Sequence, residues 1–402
     1  METWINISPN SDFSIYNLPF GIFSRGNTKR IGSRIGDYVI DLKSMYDAGF
    51  FEGIIVEDVF EKNFLNDFIQ LGKSVTNTVR LIVQEELLLK DSSLKSNFSL
   101  YFFDVSSVTM YLPLKVGDYT DFYSSRHHAE NVGRLFRGEE NPLTENWLHM
   151  PIAYHGRASS IVVSGTEIVR PEGQLTKQNK VVFGPSEKVD FELEFATVIG
   201  KSNQLGNSID ISHSEEYIFG FCLLNDWSAR DIQSWEYKPL GPFLGKNFAT
   251  TISPWIVTIE ALKSFRVSVS PKTKVLPYLQ MNHPESFDIN LKVHLNDQEI
   301  THTNFSKMYW TVHQQIAHHT VNGCNLQVGD VLGSGTISDE KEKGSLLEQT
   351  YNGEKPLKIK GELRTFVENG DTVSLSGYAE KNGVKVGFGE AVGTLKKRKN
   401  NE

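Results

Sequence analysis

Apolar residues recur along this chain in two rhythms. From Lys73 to Lys90 they fall at Val75, Val79, Ile82, Val83 and Leu87, a helical period with a single apolar stripe that predicts one amphipathic helix. Elsewhere in the first 115 residues the period is nearer two. Tyr38-Val39-Ile40-Asp41-Leu42 reads as a strand after the Gly36-Asp37 turn, and Phe98 to Leu114 carries aromatics and valine in the partial alternation of strands. Residues 1–115 therefore predict a small β-rich unit with one or two helices. No chemistry clusters within it, so its expected part is structural, as a wall for a pocket or an interface.

Beyond residue 115 the pattern is strand-rich and turns come close together. Ile161-Val162-Val163 and Val181-Val182-Phe183 are short apolar runs, with Arg170-Pro171-Glu172-Gly173-Gln174 expected as a loop between them. Ile289, Leu291, Val293 and Leu295 alternate with polar residues up to an Asn296-Asp297 turn, and Asn369-Gly370 and Asn382-Gly383 each separate strand-like runs, as hairpin turns do. One helix is expected from Ser306 to Thr320, with Tyr309, Val312 and Ile316 on one side and Gly323 just past its end. His318 and His319 near that end are expected to complement the helix dipole at the surface rather than to bind a ligand. A chain of 402 residues exceeds one ordinary core. The expected fold is a β-rich mixed α+β class in two domains, residues 1–115 and residues 116–402.

Composition narrows the function classes. The formal net charge of −8 implies no basic face and argues against nucleic acid as a partner; Lys396-Lys397-Arg398-Lys399 reads as a solvated end. Only Cys222 and Cys324 occur, too few for a disulfide framework and suited to a reducing compartment. Met1 to Phe20 has no apolar signal core, and no window approaches a membrane span, so a soluble cytoplasmic protein without a membrane partner is the expectation.

Polar chemistry concentrates in a few segments. Asp118 to Arg137 packs carboxylates, tyrosines, the adjacent His127 and His128 and flanking arginines into twenty residues; alone it is as compatible with a solvated loop and helix as with a site. In Val189-Asp190-Phe191-Glu192-Leu193-Glu194-Phe195, strand alternation sends the apolar residues one way and the three acids the other. Two like charges about 4 Å apart repel by roughly 4 kcal/mol at an effective dielectric near 20. Such a row stays wet, protonates or holds a cation, and oxygen ligands favour a hard divalent ion such as Mg²⁺ or Ca²⁺. The apolar run Phe219 to Leu224 reads as a buried strand ending at Asp226, followed by a helix that Ser228 could cap. Arg230, Gln233 and Tyr237 share one face of that helix, a set suited to an oxygen-rich anion. Lys246 lies on the Gly-punctuated loop Pro239 to Thr251, and Gly333-Ser334-Gly335-Thr336 could offer amides and a hydroxyl to a carboxylate. There is no GxSxG, HExxH or CxxC, and no Walker spacing, which leaves serine hydrolase, zinc protease and phosphate-loop readings without support.

These segments, taken in order, resemble the fumarylacetoacetase family. The resemblance rests on NLPFGIF near the start, DYTDFYSSR-HA-NVG--FRG, WLH-P--YHGRASSIV-SGT, the ELE strand, NDWSARDIQ-WEY-PLGPFLGK and SGTIS, and it spans nearly the whole chain. It implies a small N-terminal barrel resembling an SH3 domain, a larger β-rich catalytic domain and a homodimer. It implies a divalent metal held by Asp121, Glu192, Glu194 and Asp226, and a general base, His128, oriented by Glu348. By the same likeness Arg230, Gln233 and Lys246 act on the oxyanion, and Tyr123, Arg137, Tyr154, Gln233, Tyr237 and Thr336 surround the substrate. A second, smaller cation site would use Asp226, Lys246 and Thr250.

The implied reaction splits a carbon–carbon bond in a diketone acid, 4-fumarylacetoacetate, into fumarate and acetoacetate, the last step of tyrosine and phenylalanine breakdown. Position 127 departs from the family pattern, being His where Gln or Glu is usual, and Gln349-Thr350-Tyr351 replaces a stretch with Leu and Trp. Ser338 to Lys343 is a short, charged segment. Alternatives are a related hydrolase, decarboxylase or hydratase with a similar metal site, or a binding protein of the same fold.

Overall fold

The computed structural model describes residues 2–270, 272 and 275–399, and its architecture is the expected strand-rich α+β class. Near the N-terminus, strands Phe20–Ser24, Lys29–Ile35, Tyr38–Asp41, Phe102–Asp104 and Thr109–Tyr111 form an antiparallel sheet that curls into a half-barrel. Asp41 ends its strand because its carboxylate accepts from the Lys43 and Ser44 amides, so Leu42 begins a helix instead of extending the strand. The amphipathic helix appears as Lys73–Leu88 and buries Val79, Val83 and Leu87. Phe98–Tyr101, expected as strand, is a helical turn: Phe98 and Phe102, four residues apart, stack with ring centroids at 4.6 Å.

An eight-stranded sheet forms the middle layer. Its main path runs Ala153–Gly156, Tyr119–Phe122, Val331–Gly333, Leu193–Ile199, Ile218–Asp226, Thr250–Ile252 and Ile161–Val163, with Val257–Thr258 also pairing to Ile218–Asp226. Both faces are covered, which explains why Phe219 to Leu224 is continuously apolar. Leu193, Phe195, Phe221 and Leu223 enter the core shared with a five-stranded sheet that includes Asn290–Leu295, Thr372–Lys381 and Val384–Lys396. Ala196, Val198, Cys222 and Leu224 enter the opposite core, shared with Phe20, Ile22 and Phe68 of the N-terminal layer.

Two hairpin turns stand where expected. Asn296-Asp297 and Asn382-Gly383 all have positive φ and join Leu295 to Gln298 and Lys381 to Val384. Asn369-Gly370 makes a turn but no hairpin, because the preceding strand Glu362–Arg364 pairs back with Leu357–Ile359 and Val367 bridges Val189. The supposed loop at 170–174 is strand from Glu172 onward, paired with Lys180–Pro185. The expected helix from Ser306 begins only at Val312, where Thr311 and Gln314 form a capping box; upstream, the Tyr309 and Trp310 amides are drawn to the Ser124 carbonyl. His318 and His319 do lie in its last turn but are not plain surface cations. His319 Nε2 sits 2.9 Å from Thr120 Oγ1, His318 Nδ1 sits 3.0 Å from Tyr278 Oη, and burial lowers both pKa values.

Candidate active site

Three strands of the middle sheet carry three of the acids. Asp121 lies near the end of Tyr119–Phe122, Glu194 near the start of Leu193–Ile199, and Asp226 at the end of Ile218–Asp226. Glu192 sits in a break before its strand: Val189–Asp190 pairs with Ser228–Ala229, the ladder resumes at Leu193, and the Asn225 side chain takes up the Glu192 amide between them. Each of the four buried acids offers an oxygen within 4.8 Å of the others. Gly333 lies opposite Asp121 in the sheet, and a Cβ there would come within 2.8 Å of Glu194 Oε2 and 3.0 Å of Asp121 Oδ1. Gly335, with φ of +76°, turns its amide to Glu194 Oε2 at 3.1 Å. Asp121 Oδ1 and Glu194 Oε1 are buried without a hydrogen-bond partner. Burial, reinforced by the neighbouring carboxylates, pushes Asp121 and Glu194 well above the usual carboxylate range. Orphaned oxygens converging from an all-carboxylate set fit a hard divalent cation.

Two cations face the acids from one side. Lys246 Nζ lies 2.6 Å from Asp226 Oδ2 and 2.7 Å from Glu192 Oε2. Arg230 Nη1 donates to Glu192 Oε1 at 2.7 Å and to Gln233 Oε1 at 3.2 Å. Burial alone would raise Glu192, but Lys246 and Arg230 outweigh it and hold this acid below the usual range. Arg230 Nε is bound by Asp190 Oδ2 at 2.9 Å, which leaves the buried Nη2 as an unpartnered donor. The helix bearing Arg230 is Arg230–Glu236, and its N-cap is Ala229; Ser228 does not cap it, since that hydroxyl turns back to the Asp226 carbonyl. The Tyr154 hydroxyl donates to Asp226 Oδ2 at 3.0 Å, and Thr250 Oγ1 lies 3.5 Å from Asp226 Oδ1.

His128 is positioned from two segments. Ser125 caps the Arg126–Arg137 helix, accepting the His128 amide, and its hydroxyl donates to the Ser338 carbonyl. The His128 ring donates from Nδ1 to Glu348 Oε2 at 2.6 Å, leaving Nε2 for chemistry. Glu348 also accepts from Ser338 Oγ at 3.0 Å, Ser345 Oγ at 2.9 Å and Asn131 Nδ2 at 2.9 Å. Burial would raise this carboxyl, but the His128 charge and these hydrogen bonds hold it below its ordinary value. A depressed folded-state pKa contributes stability above the unfolded value of about 4.3, and that contribution disappears as pH falls through the folded value. The melting-temperature gap between the protein and Glu348→Gln is therefore expected to be widest above about pH 4.3 and to narrow below it. A gap that stays constant as the pH is lowered through this range would contradict an ionised, hydrogen-bonded Glu348.

The remaining predicted residues are distributed around this centre. Tyr123 packs edge-on against His128 with ring centroids at 5.3 Å, and Thr336 is buried with its hydroxyl unpartnered. Gln233 reaches Arg230, whereas Tyr237 ends the same helix largely exposed. Arg137 is not drawn into the cluster; it is exposed and donates to the Pro142 carbonyl. His127 is half-buried on the side of Asp339. That carboxyl is held low, against its partial burial, by the Glu342 and Lys341 amides and the Thr303 hydroxyl, with His127 a smaller contribution. Sequence reasoning passed over Asp190, Asn131, Ser338 and Ser345 as site residues. Ser345 and Glu348 do stand at the S-x-x-E spacing of a capping box, a signal that could have drawn attention to both.

Comparison with known proteins gives matches over nearly the whole chain. A family model described as "Fumarylacetoacetate (FAA) hydrolase C-terminal" matches residues 118–398, and one described as "Fumarylacetoacetase N-terminal" matches residues 16–113. Curated proteins named fumarylacetoacetase are similar over almost the whole length. The one from Arabidopsis thaliana is 48% identical over 414 residues, covering 98% of each chain. The one from Homo sapiens is 47% identical over 414 residues, again covering 98% of each. Among solved structures, a fumarylacetoacetate hydrolase from Exiguobacterium antarcticum superposes with a TM-score of 0.54 at 16% identity, covering 95% of this chain and 100% of that one. An HpcE protein from Mycobacterium smegmatis gives 0.56 at 19%, covering 94% and 99%; at such identities the likeness is one of fold.

Proposed function

The chain belongs to the fumarylacetoacetase family, and from that premise we propose how its site performs the reaction. The protein is a hydrolase that splits the carbon–carbon bond of fumarylacetoacetate. The observation that carries the mechanism is one constellation: four buried carboxylates, two of them with an unpartnered oxygen, a guanidinium with a free Nη2, and a histidine whose Nδ1 is already engaged.

Asp121, Glu192, Glu194 and Asp226 would hold a divalent cation, Mg²⁺ or Ca²⁺ by the oxygen-only ligand set. When bound, that ion supplies Lewis acidity that disperses charge on the diketone as the bond breaks. His128 takes a proton from water through Nε2, and Glu348 keeps the proton on Nδ1 and the ring in place. The water oxygen adds to the carbonyl carbon of the fumaroyl group itself. Arg230 through Nη2, with Lys246 and Gln233, stabilises the oxyanion that forms. Collapse breaks the carbon–carbon bond, the electron pair leaves with the acetoacetate half, and that carbon takes a proton. Tyr123, Tyr154 and Thr336 orient the substrate, Arg137 and Tyr237 approach it from the exposed rim, and Thr250 with Asp226 and Lys246 would form the lesser cation site. We infer a homodimer from family membership; sedimentation as a monomer at micromolar concentration would refute it.

The direct test supplies purified protein and a divalent salt with fumarylacetoacetate, following loss of the diketone absorbance and appearance of fumarate. Consumption without fumarate would indicate a related reaction, and no consumption would indicate a binding protein.

A further inference from the structure

Asp190 belongs neither to the acid cluster nor to the set of residues around the substrate, yet it is fully buried and each of its oxygens is engaged. Oδ2 accepts Arg230 Nε at 2.9 Å and the Leu347 amide at 2.9 Å. Oδ1 accepts the Leu346 amide at 2.8 Å and the Phe191 amide at 2.8 Å. Leu346 and Leu347 open the short helix Leu346–Gln349 that carries Glu348, and their amides are among those a helix cannot satisfy internally. One carboxylate thus grips the guanidinium on the oxyanion side and the start of the turn on the base side. Its strand, Val189–Asp190, is fixed in turn by Ser228–Ala229 immediately before Arg230.

We propose that Asp190 is the positioning residue that sets both halves of the site together, aiming Arg230 Nη2 and placing Glu348 beneath His128 through a single carboxylate. With Nε held by Asp190 and Nη1 by Glu192, the guanidinium plane is defined and Nη2 is the donor left over. If the Asp190 carboxylate moves, Arg230 turns and the Leu346–Gln349 turn shifts, so donor and base lose register with each other. This inference rests on the roles proposed above for Arg230 and Glu348.

The test is a pair of double-mutant cycles in the full-length enzyme with divalent metal. Asp190→Asn keeps the side chain's size but places an amide NH₂ against one set of donors. It is expected to lower kcat by about 10–100-fold with KM within about threefold, as for residues that orient catalytic groups. Combined with Arg230→Gln, and separately with Glu348→Gln, it should add at most about fivefold to either single loss, because each pair acts as a unit. A residue that only supports the fold would multiply with both partners, and multiplicative losses in either cycle overturn the proposal. Should Asp190→Asn not fold, Arg230→Gln alone serves. Hydrogen exchange at the Leu346 and Leu347 amides should quicken about tenfold or more when their shared acceptor loses its cation. Unchanged exchange there overturns the link. If Arg230→Gln and Glu348→Gln each retain full activity, the fault lies in the catalytic assignment rather than in Asp190.

Discussion

His128→Ala is expected to lower kcat by about 10²- to 10⁴-fold, the usual contribution of a positioned general base, whereas His127→Ala should stay within about threefold of the parent. Adjacent residues on a helix project about 100° apart, so only one of the pair can face the acids. Here His128 turns inward, to the edge of the Tyr123 ring and within 2.6 Å of Glu348, while His127 lies on the side of Asp339, in the charged Ser338 to Lys343 segment. The two single variants assayed side by side decide the matter. Near-normal turnover in His128→Ala together with loss in His127→Ala would reverse the assignment.

Glu194→Gln is expected to weaken divalent-ion binding by about 100-fold or more, since loss of a direct ligand should exceed the 10–100-fold typical of outer partners. It should at the same time spare or raise the stability of the metal-free protein. Glu194 is fully buried, its Oε1 has no partner, and burial with the charges of Asp121, Glu192 and Asp226 already drives it toward the protonated form. A neutral amide relieves that repulsion, roughly 4 kcal/mol per close pair at an effective dielectric near 20, while removing a ligand. Calorimetric titration should therefore show weaker binding, and the rise in melting temperature on adding metal should shrink. Unchanged affinity would remove Glu194 from the ligand set.

Much of this was legible in the chain because local sterics decided it. The Asn382-Gly383 and Asn296-Asp297 turns need positive φ, and Phe219 to Leu224 is apolar on both faces because both faces are covered. What escaped was decided at a distance. The Ser124 carbonyl delays the helix after Ser306, and the Asn225 side chain serves the break before Leu193. Alternation set Glu192 and Glu194 in one acidic row and the end of an apolar run marked Asp226, but only the family likeness joined them to Asp121 or paired His128 with Glu348, 220 positions apart. Asp190 was visible in its acidic row and read as one of three equivalent acids. Its difference lies in the partners that the break in the strand gives it.

The middle sheet presents Glu194 and Asp226 on the same face as Ala196, Val198, Cys222 and Leu224, the face that the N-terminal layer covers. Substitutions such as Phe20→Ser or Phe68→Ser would accordingly act outside the acid cluster and through the amount of folded protein. Each removes a large apolar side chain from that shared core, a loss of about 3–5 kcal/mol for comparable truncations. In a cell, such a loss lowers the standing amount of folded enzyme as chaperones and proteases clear the rest. The molecules that survive would turn over normally, so purified specific activity would look sound while flux in the cell failed. Small-molecule ligands of the folded site, by mass action, would raise the quantity of such variants without touching the mutated residue.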